Sequence, residues 1–189
     1  MEAAGREEEL KKLALAFCAN PRRTAKELAE AAGISKATFY RVYSSRDNLS
    51  RLLNEKAWQV IGEVMDSLEE KGKGSREKLH RAIGLCCENR EYLMLLCYGT
   101  VTGSCDMSCQ EMYRQKMQAF FLKGQSEGVF RIDISASAMA ELFAGTMWGL
   151  FEGECRGRIA SADMAAYWEH FFLQGVAIEK KERTMNERS

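Results

Sequence analysis

Between Gly33 and Leu49 the chain reads GISKATFYRVYSSRDNL, where Phe39, Tyr40 and Tyr43 alternate with Lys36, Arg41 and Arg46. Ammonium and guanidinium groups donate to phosphate oxygens or to a guanine edge, hydroxyls donate to phosphate, and a small residue such as Ala37 lets a backbone approach base edges. From Asn20 to Arg51 there are seven cations (Arg22, Arg23, Lys26, Lys36, Arg41, Arg46, Arg51) against three anions (Glu27, Glu30, Asp47), although the whole chain has a formal charge of zero. Sulfur is the other reactive element. Cys105 and Cys109 are spaced like one face of a helix, and Cys86, Cys87 and Cys97 add thiols. No paired Cys/His pattern completes a zinc shell, so core thiols are expected, with no metal and no cofactor. Neither His80 nor His170 has a neighbouring nucleophile pattern, and no strand precedes a glycine-rich phosphate loop, so nothing asks for an enzyme.

The elements that must carry these residues read as helices. One proline in 189 residues and an abundance of Ala, Leu, Met, Glu, Lys and Arg predict an all-α chain. Leu10, Leu13, Ala14 and Phe17 mark one face of a first helix that Asn20-Pro21 ends. Thr24 with Glu27 reads as a capping box, Ala25, Leu28, Ala29 and Ala32 form a narrow stripe, and Gly33 stops the second helix. Ser35 caps a third helix over 36–43, and Ser45 a long fourth one that runs to KGKGS at 71–75. Further helices are expected near 75–88, 90–100, 105–127, 135–154 and 161–180. The acidic N-terminus, the absence of an apolar run of about 20 residues and an odd number of scattered cysteines predict a cytosolic protein with no membrane contact.

On a helical wheel of residues 36–43, Phe39, Val42 and Tyr43 fall on one side, while Ala37 and Arg41, flanked by Thr38 and Tyr40, fall on the other. Two short helices joined by a glycine turn, the second with small, hydroxyl and basic side chains outward, suit a helix-turn-helix. The capped N-termini at Thr24 and Ser35 add a preference for anions. From charge and periodicity alone, an ordinary helical hairpin with a solvated basic face explains the pattern as well.

The stretch TAKELAEAAGISKATFYRVYSSRDNL, Thr24 to Leu49, resembles the DNA-binding domain of TetR-type transcriptional regulators. The A-x-x-A-G-[VI]-S turn of that family reads here as Ala29 to Ser35, its T-[LF]-Y element as Thr38-Phe39-Tyr40, and its exit as Tyr43 to Leu49. The resemblance implies that Lys36 to Arg41 form the recognition helix, that Tyr40 contacts phosphate, and that Arg46 stands where the family has a phosphate-binding lysine. Two departures stand out: Val42 replaces an aromatic residue or histidine, and the linker CANPRR is short and lacks a glycine-aromatic pair. Arg22 and Arg23 are the residues that would compensate.

Beyond residue 46 the chain resembles the family's regulatory domain in layout only, which divides it into a DNA-binding part, 1–46, and a regulatory and dimerisation part, 47–189. Gly145, Gly149 and Gly153 leave one helix face bare, and Trp168, Phe171 and Phe172 with Tyr167, Leu173 and Val176 give the next helix more apolar surface than one stripe needs. These are the expected homodimer contacts, although a tight helix crossing within one chain explains the glycines as well. Trp58, Ile61 and Met65, with Met94, Tyr98, Tyr113, Met117, Phe120 and Trp148, are the expected lining of a pocket for a small apolar effector, although for any one of them a place in a solid core is the plainer reading. The expectation is a repressor released from palindromic double-stranded operator DNA by that effector. A helical enzyme or interaction module, in which residues 24–49 only pack, stands as the alternative.

Overall fold

The computed structural model describes residues 2–101 and 107–177, and within them nine helices: α1 Glu2–Ala19, α2 Ala25–Ala32, α3 Lys36–Tyr43, α4 Arg46–Glu69, α5 Ser75–Glu88, α6 Arg90–Val101, α7 Met107–Ser126, α8 Ala136–Cys155 and α9 Ser161–Val176. The all-α class and the helix order match the expectation. One isolated antiparallel bridge, Phe130 to Ala177, ties the α7–α8 loop to the end of α9.

Side-chain caps set several of the boundaries. Ser35, Ser45 and Ser135 accept from the backbone N–H three residues on, at 3.0, 3.0 and 3.2 Å. Gly33 ends α2 in the left-handed region at φ 73°, where a residue with a Cβ is strained, and the next N–H, that of Ile34, returns to Ala29 O at 3.0 Å. This sharp reversal sets α3 against α2.

α4 packs against α5, α6 and α7; α7 against α8; α8 against α9; and α9 returns to α5. Phe121, Phe130, Phe143, Phe172 and Trp168 form the centre of this bundle, with the Phe143 and Trp168 rings 4.6 Å apart. Burying each such ring contributes roughly 2–3 kcal/mol. α1 lies between the two ends of the molecule, packed on α2 on one side and on α6 on the other. Because α4 runs unbroken from Arg46, the two parts of the chain share a helix and do not meet at a linker. No helix among the described residues is long and apolar enough to cross a membrane.

Candidate nucleic-acid interface and ligand pocket

On α3, Phe39 and Tyr43 are buried, whereas Lys36, Ala37, Tyr40 and Arg41 are exposed and Thr38 is half-buried. The 3.6-residue repeat thus separates a packing side from a basic, hydroxyl-bearing side. Phe39 supports Tyr40 edge-on at 5.7 Å, and the Lys36 ammonium lies 5.9 Å from the Tyr40 ring centroid. Ser35 Oγ accepts from Thr38 N and shares a 2.9 Å hydrogen bond with Thr38 Oγ1. No acidic residue stands in the first turn of α3, so its N-terminal dipole is open to an anion.

The start of α2 is different. Thr24 Oγ1 accepts from Glu27 N at 3.3 Å and donates to Glu27 Oε2 at 2.8 Å, and Thr24 N donates to the same oxygen at 2.7 Å. The backbone bond from Thr24, with its side-chain bond, holds the Glu27 carboxyl below its usual range. A carboxylate therefore occupies the mouth of α2, and a phosphate contact by Thr24 would require the capping box to open.

Arg46, the expected phosphate ligand, is engaged within the protein. Its side chain turns back over the α1–α2 linker, with Nε donating to Arg23 O at 3.0 Å and a terminal nitrogen donating to Pro21 O. Arg23 donates in turn to Ala16 O at 3.1 Å.

A cavity of about 190 Å³ opens between α4, α6, α7 and α8, walled by Trp58, Ile61, Leu96, Tyr113, Ala144 and Met147. Its rim carries Arg114 and Glu141, joined Nε to Oε1 at 3.2 Å. A second cavity of about 160 Å³ shares Trp58, Ile61 and Tyr113 and adds Met65 and Met112. Burial raises the Tyr113 phenol well above its usual range, so it stays neutral.

No family model matches the chain. The HTH-type transcriptional regulator NfxB of Pseudomonas aeruginosa is 38% identical to it over 172 residues, covering 89% of this chain and 92% of that protein. The MbdR regulator of Azoarcus sp. CIB superposes with a TM-score of 0.70 at 18% identity, covering 92% of this chain and all of that one. The ketosteroid regulator KstR2 of Mycobacterium tuberculosis does so with a TM-score of 0.71 at 16% identity, covering 92% and 95%. This chain belongs to the HTH-type transcriptional regulators, and its fold is that of the TetR family.

In this regulator the expected pocket residues separate into three groups. Trp58, Ile61 and Tyr113 wall both cavities, Met65 walls the second, and Met65 with Phe120 borders a further cleft beside α7. Met94 and Met117 are buried and wall neither of these two cavities, and Met94 Sδ lies 3.5 Å from Cys155 Sγ. Trp148 is half-buried on α8 beside the wall residue Met147 and lines neither cavity, and the side chain of Tyr98 lies outside the described residues. The small residues Ala140 and Ala144, one turn apart on α8, open the first cavity. Their spacing was the sequence signal for it. Of the thiols, Cys18 and Cys86 are buried, as core thiols are; Cys105 and the side chain of Cys109 lie outside the described residues.

The expected dimer face also needs correction. Trp168 and Phe172 are 0% and 3% exposed, held by Phe143 inside the regulator's own core, and so are not available to a partner. A Cβ on Gly153 would fall 2.7 Å from Ile159 Cδ1, so this glycine admits a side chain of its own subunit. Gly145 and Gly149 face open space, and Phe171 is 71% exposed, with Tyr167 and Leu142 also exposed.

Proposed function

We propose that this regulator is a ligand-responsive repressor: a homodimer that binds a roughly palindromic operator and releases it when a small, largely apolar effector enters the Trp58–Tyr113 cavity. The observation that carries the reading is helix α4. At its start it abuts the α1–α2 linker through Arg46, and three turns on its Trp58 and Ile61 wall the cavity. At 1.5 Å per residue its 24 residues make a rod of about 36 Å, so a small pivot at the cavity displaces the DNA-binding end.

Residues 1–46 form the DNA-binding part, in which Ser35, Lys36, Ala37, Thr38, Tyr40 and Arg41 contact the duplex, and 47–189 the regulatory part. The basic outward side of α3 and its open N-terminus support this assignment. For the dimer, Leu142, Gly145 and Gly149 of α8 with Tyr167 and Phe171 of α9 pair with their symmetry mates in an isologous four-helix contact. Exposed apolar side chains beside bare glycines support it.

An effector shifts the equilibrium only by its differential affinity for the two states, and DNA weakens effector binding by the same factor. The decisive experiment screens small aromatic compounds by quenching of tryptophan fluorescence and re-measures affinity for a duplex selected by the protein. Binding without release of DNA would end the effector-controlled reading and leave DNA binding standing.

A further inference from the structure

We propose that Arg46 is a positioning residue, a guanidinium clamp that sets the α1–α2 linker and through it the placement of the reading helix, and not a phosphate ligand; this rests on the DNA-binding reading above. The linker's own braces are Arg22 N to Asn20 Oδ1 at 2.9 Å, Arg23 N to Asn20 O at 3.1 Å and the Arg23 guanidinium to Ala16 O at 3.1 Å. From the start of α4, Arg46 supplies donors to two further linker carbonyls, those of Pro21 and Arg23. Its guanidinium carbon lies 5.0 Å from the Phe17 ring centroid, which seats the fork on the last turns of α1. One rigid, planar group therefore holds α1, the linker and α4 in a fixed relation. A lysine ammonium is a point charge on a flexible stem and cannot reproduce that geometry.

The nitrogen left over, Nη1, faces Asp47 Oδ1 at 3.5 Å, and the Asp47 side chain is 94% exposed. A phosphate approaching Nη1 meets this carboxylate, and like charges at such range repel. α2 starts at Ala25, directly beyond the clamped carbonyls, and carries α3 through the Gly33 turn. Loosening the linker thus displaces the basic side of α3 as a unit.

The test measures salt-dependent affinity for the tightest duplex that the wild-type protein selects from a random-sequence pool, together with amide hydrogen exchange over residues 20–24 in the free protein. In R46A, affinity falls about tenfold or more, as lost hydrogen bonds to a charged group imply. The salt slope does not change, and R46K stays as weak as R46A. F17L, which removes the stacking ring and no charge, weakens binding in the same direction, and linker exchange accelerates in both R46A and F17L. A salt slope in R46A that drops in magnitude by about 0.9, the signature of one lost phosphate contact, overturns the proposal. So does restoration of wild-type affinity by R46K, or unchanged linker exchange in R46A. Should the wild-type protein select no duplex, the DNA-binding reading itself fails, and the exchange result alone decides whether Arg46 holds the linker.

Discussion

The phenol of Tyr92 on α6 donates to Glu7 of α1 at 2.9 Å, and two residues along α1 the carboxylate of Glu9 accepts from the phenol of Tyr43 at 2.8 Å. Tyr43 ends α3, and Tyr92 stands one turn before the cavity residues Leu96 and Cys97. Because Glu7 and Glu9 project to different sides of α1, that helix is held between the two ends of the regulator. Burial and these carboxylates raise both phenols well above their usual range, which keeps both as donors. Tyr92→Phe keeps the packing and removes the bond. The expected cost is about 1–2 kcal/mol in urea unfolding, since Glu7 loses a close donor and is left with the Lys56 ammonium at 3.8 Å. No change in the midpoint would show that α1 is held by apolar packing alone.

Two glycines of α8 give opposite outcomes. Gly149 faces open space, so Gly149→Leu should leave monomer stability nearly unchanged, split the dimer in sedimentation and abolish tight duplex binding. Gly153→Leu, driven into Ile159, should instead cost about 1–3 kcal/mol by overpacking. Equal oligomeric states for wild type and Gly149→Leu would remove α8 from the interface.

On the exposed side of α3, Arg41→Ala should cost about 1–3 kcal/mol of duplex binding. A contact to a base also relaxes sequence preference in a selection experiment, whereas a contact to phosphate weakens all sequences alike. Unchanged affinity would take Arg41 out of the interface.

Ala144 is half-buried at the wall of the first cavity. Ala144→Phe should fill that space and lower the affinity for an apolar probe, 1-anilinonaphthalene-8-sulfonate, by about tenfold or more, while duplex affinity without probe stays at the wild-type value. Probe binding that persists with wild-type affinity places it elsewhere.

Alkaline pH should destabilise the fold through its buried thiols. Burial, with the neighbouring Cys155 and Cys97, pushes Cys18 up to about 12, and burial raises Cys86 further. An acid whose pKa is raised by folding contributes its full stability below the unfolded pKa, near 8.5–9, and loses it as pH rises toward the folded value. Each such thiol removes about 1.4 kcal/mol per pH unit in that window. Urea midpoints measured from neutral pH upward should fall above about pH 9, and less steeply in Cys18→Ala. A flat profile would contradict this burial.

Much of the molecule was legible in the sequence because local rules decide it. Thr24, Gly33, Ser35 and Ser45 act on residues three to five positions away, so the starts of α2, α3 and α4 and the end of α2 could be read directly. The same 3.6-residue period placed Phe39 and Tyr43 inside and Ala37 and Arg41 outside.

Only the tertiary structure decided the rest. Arg46 meets carbonyls 23 and 25 positions away, and no local pattern tells whether a guanidinium turns to backbone or to solvent. α9 is apolar on more than one face, and periodicity cannot say which is core; packing against Phe143 took Trp168 and Phe172 and left Phe171 outside. A cavity is a place where four helices fail to fill space between them. It depends on side chains that no helix sees within itself, which is why Met94 and Met117 became core while Ala140 and Ala144 opened the pocket.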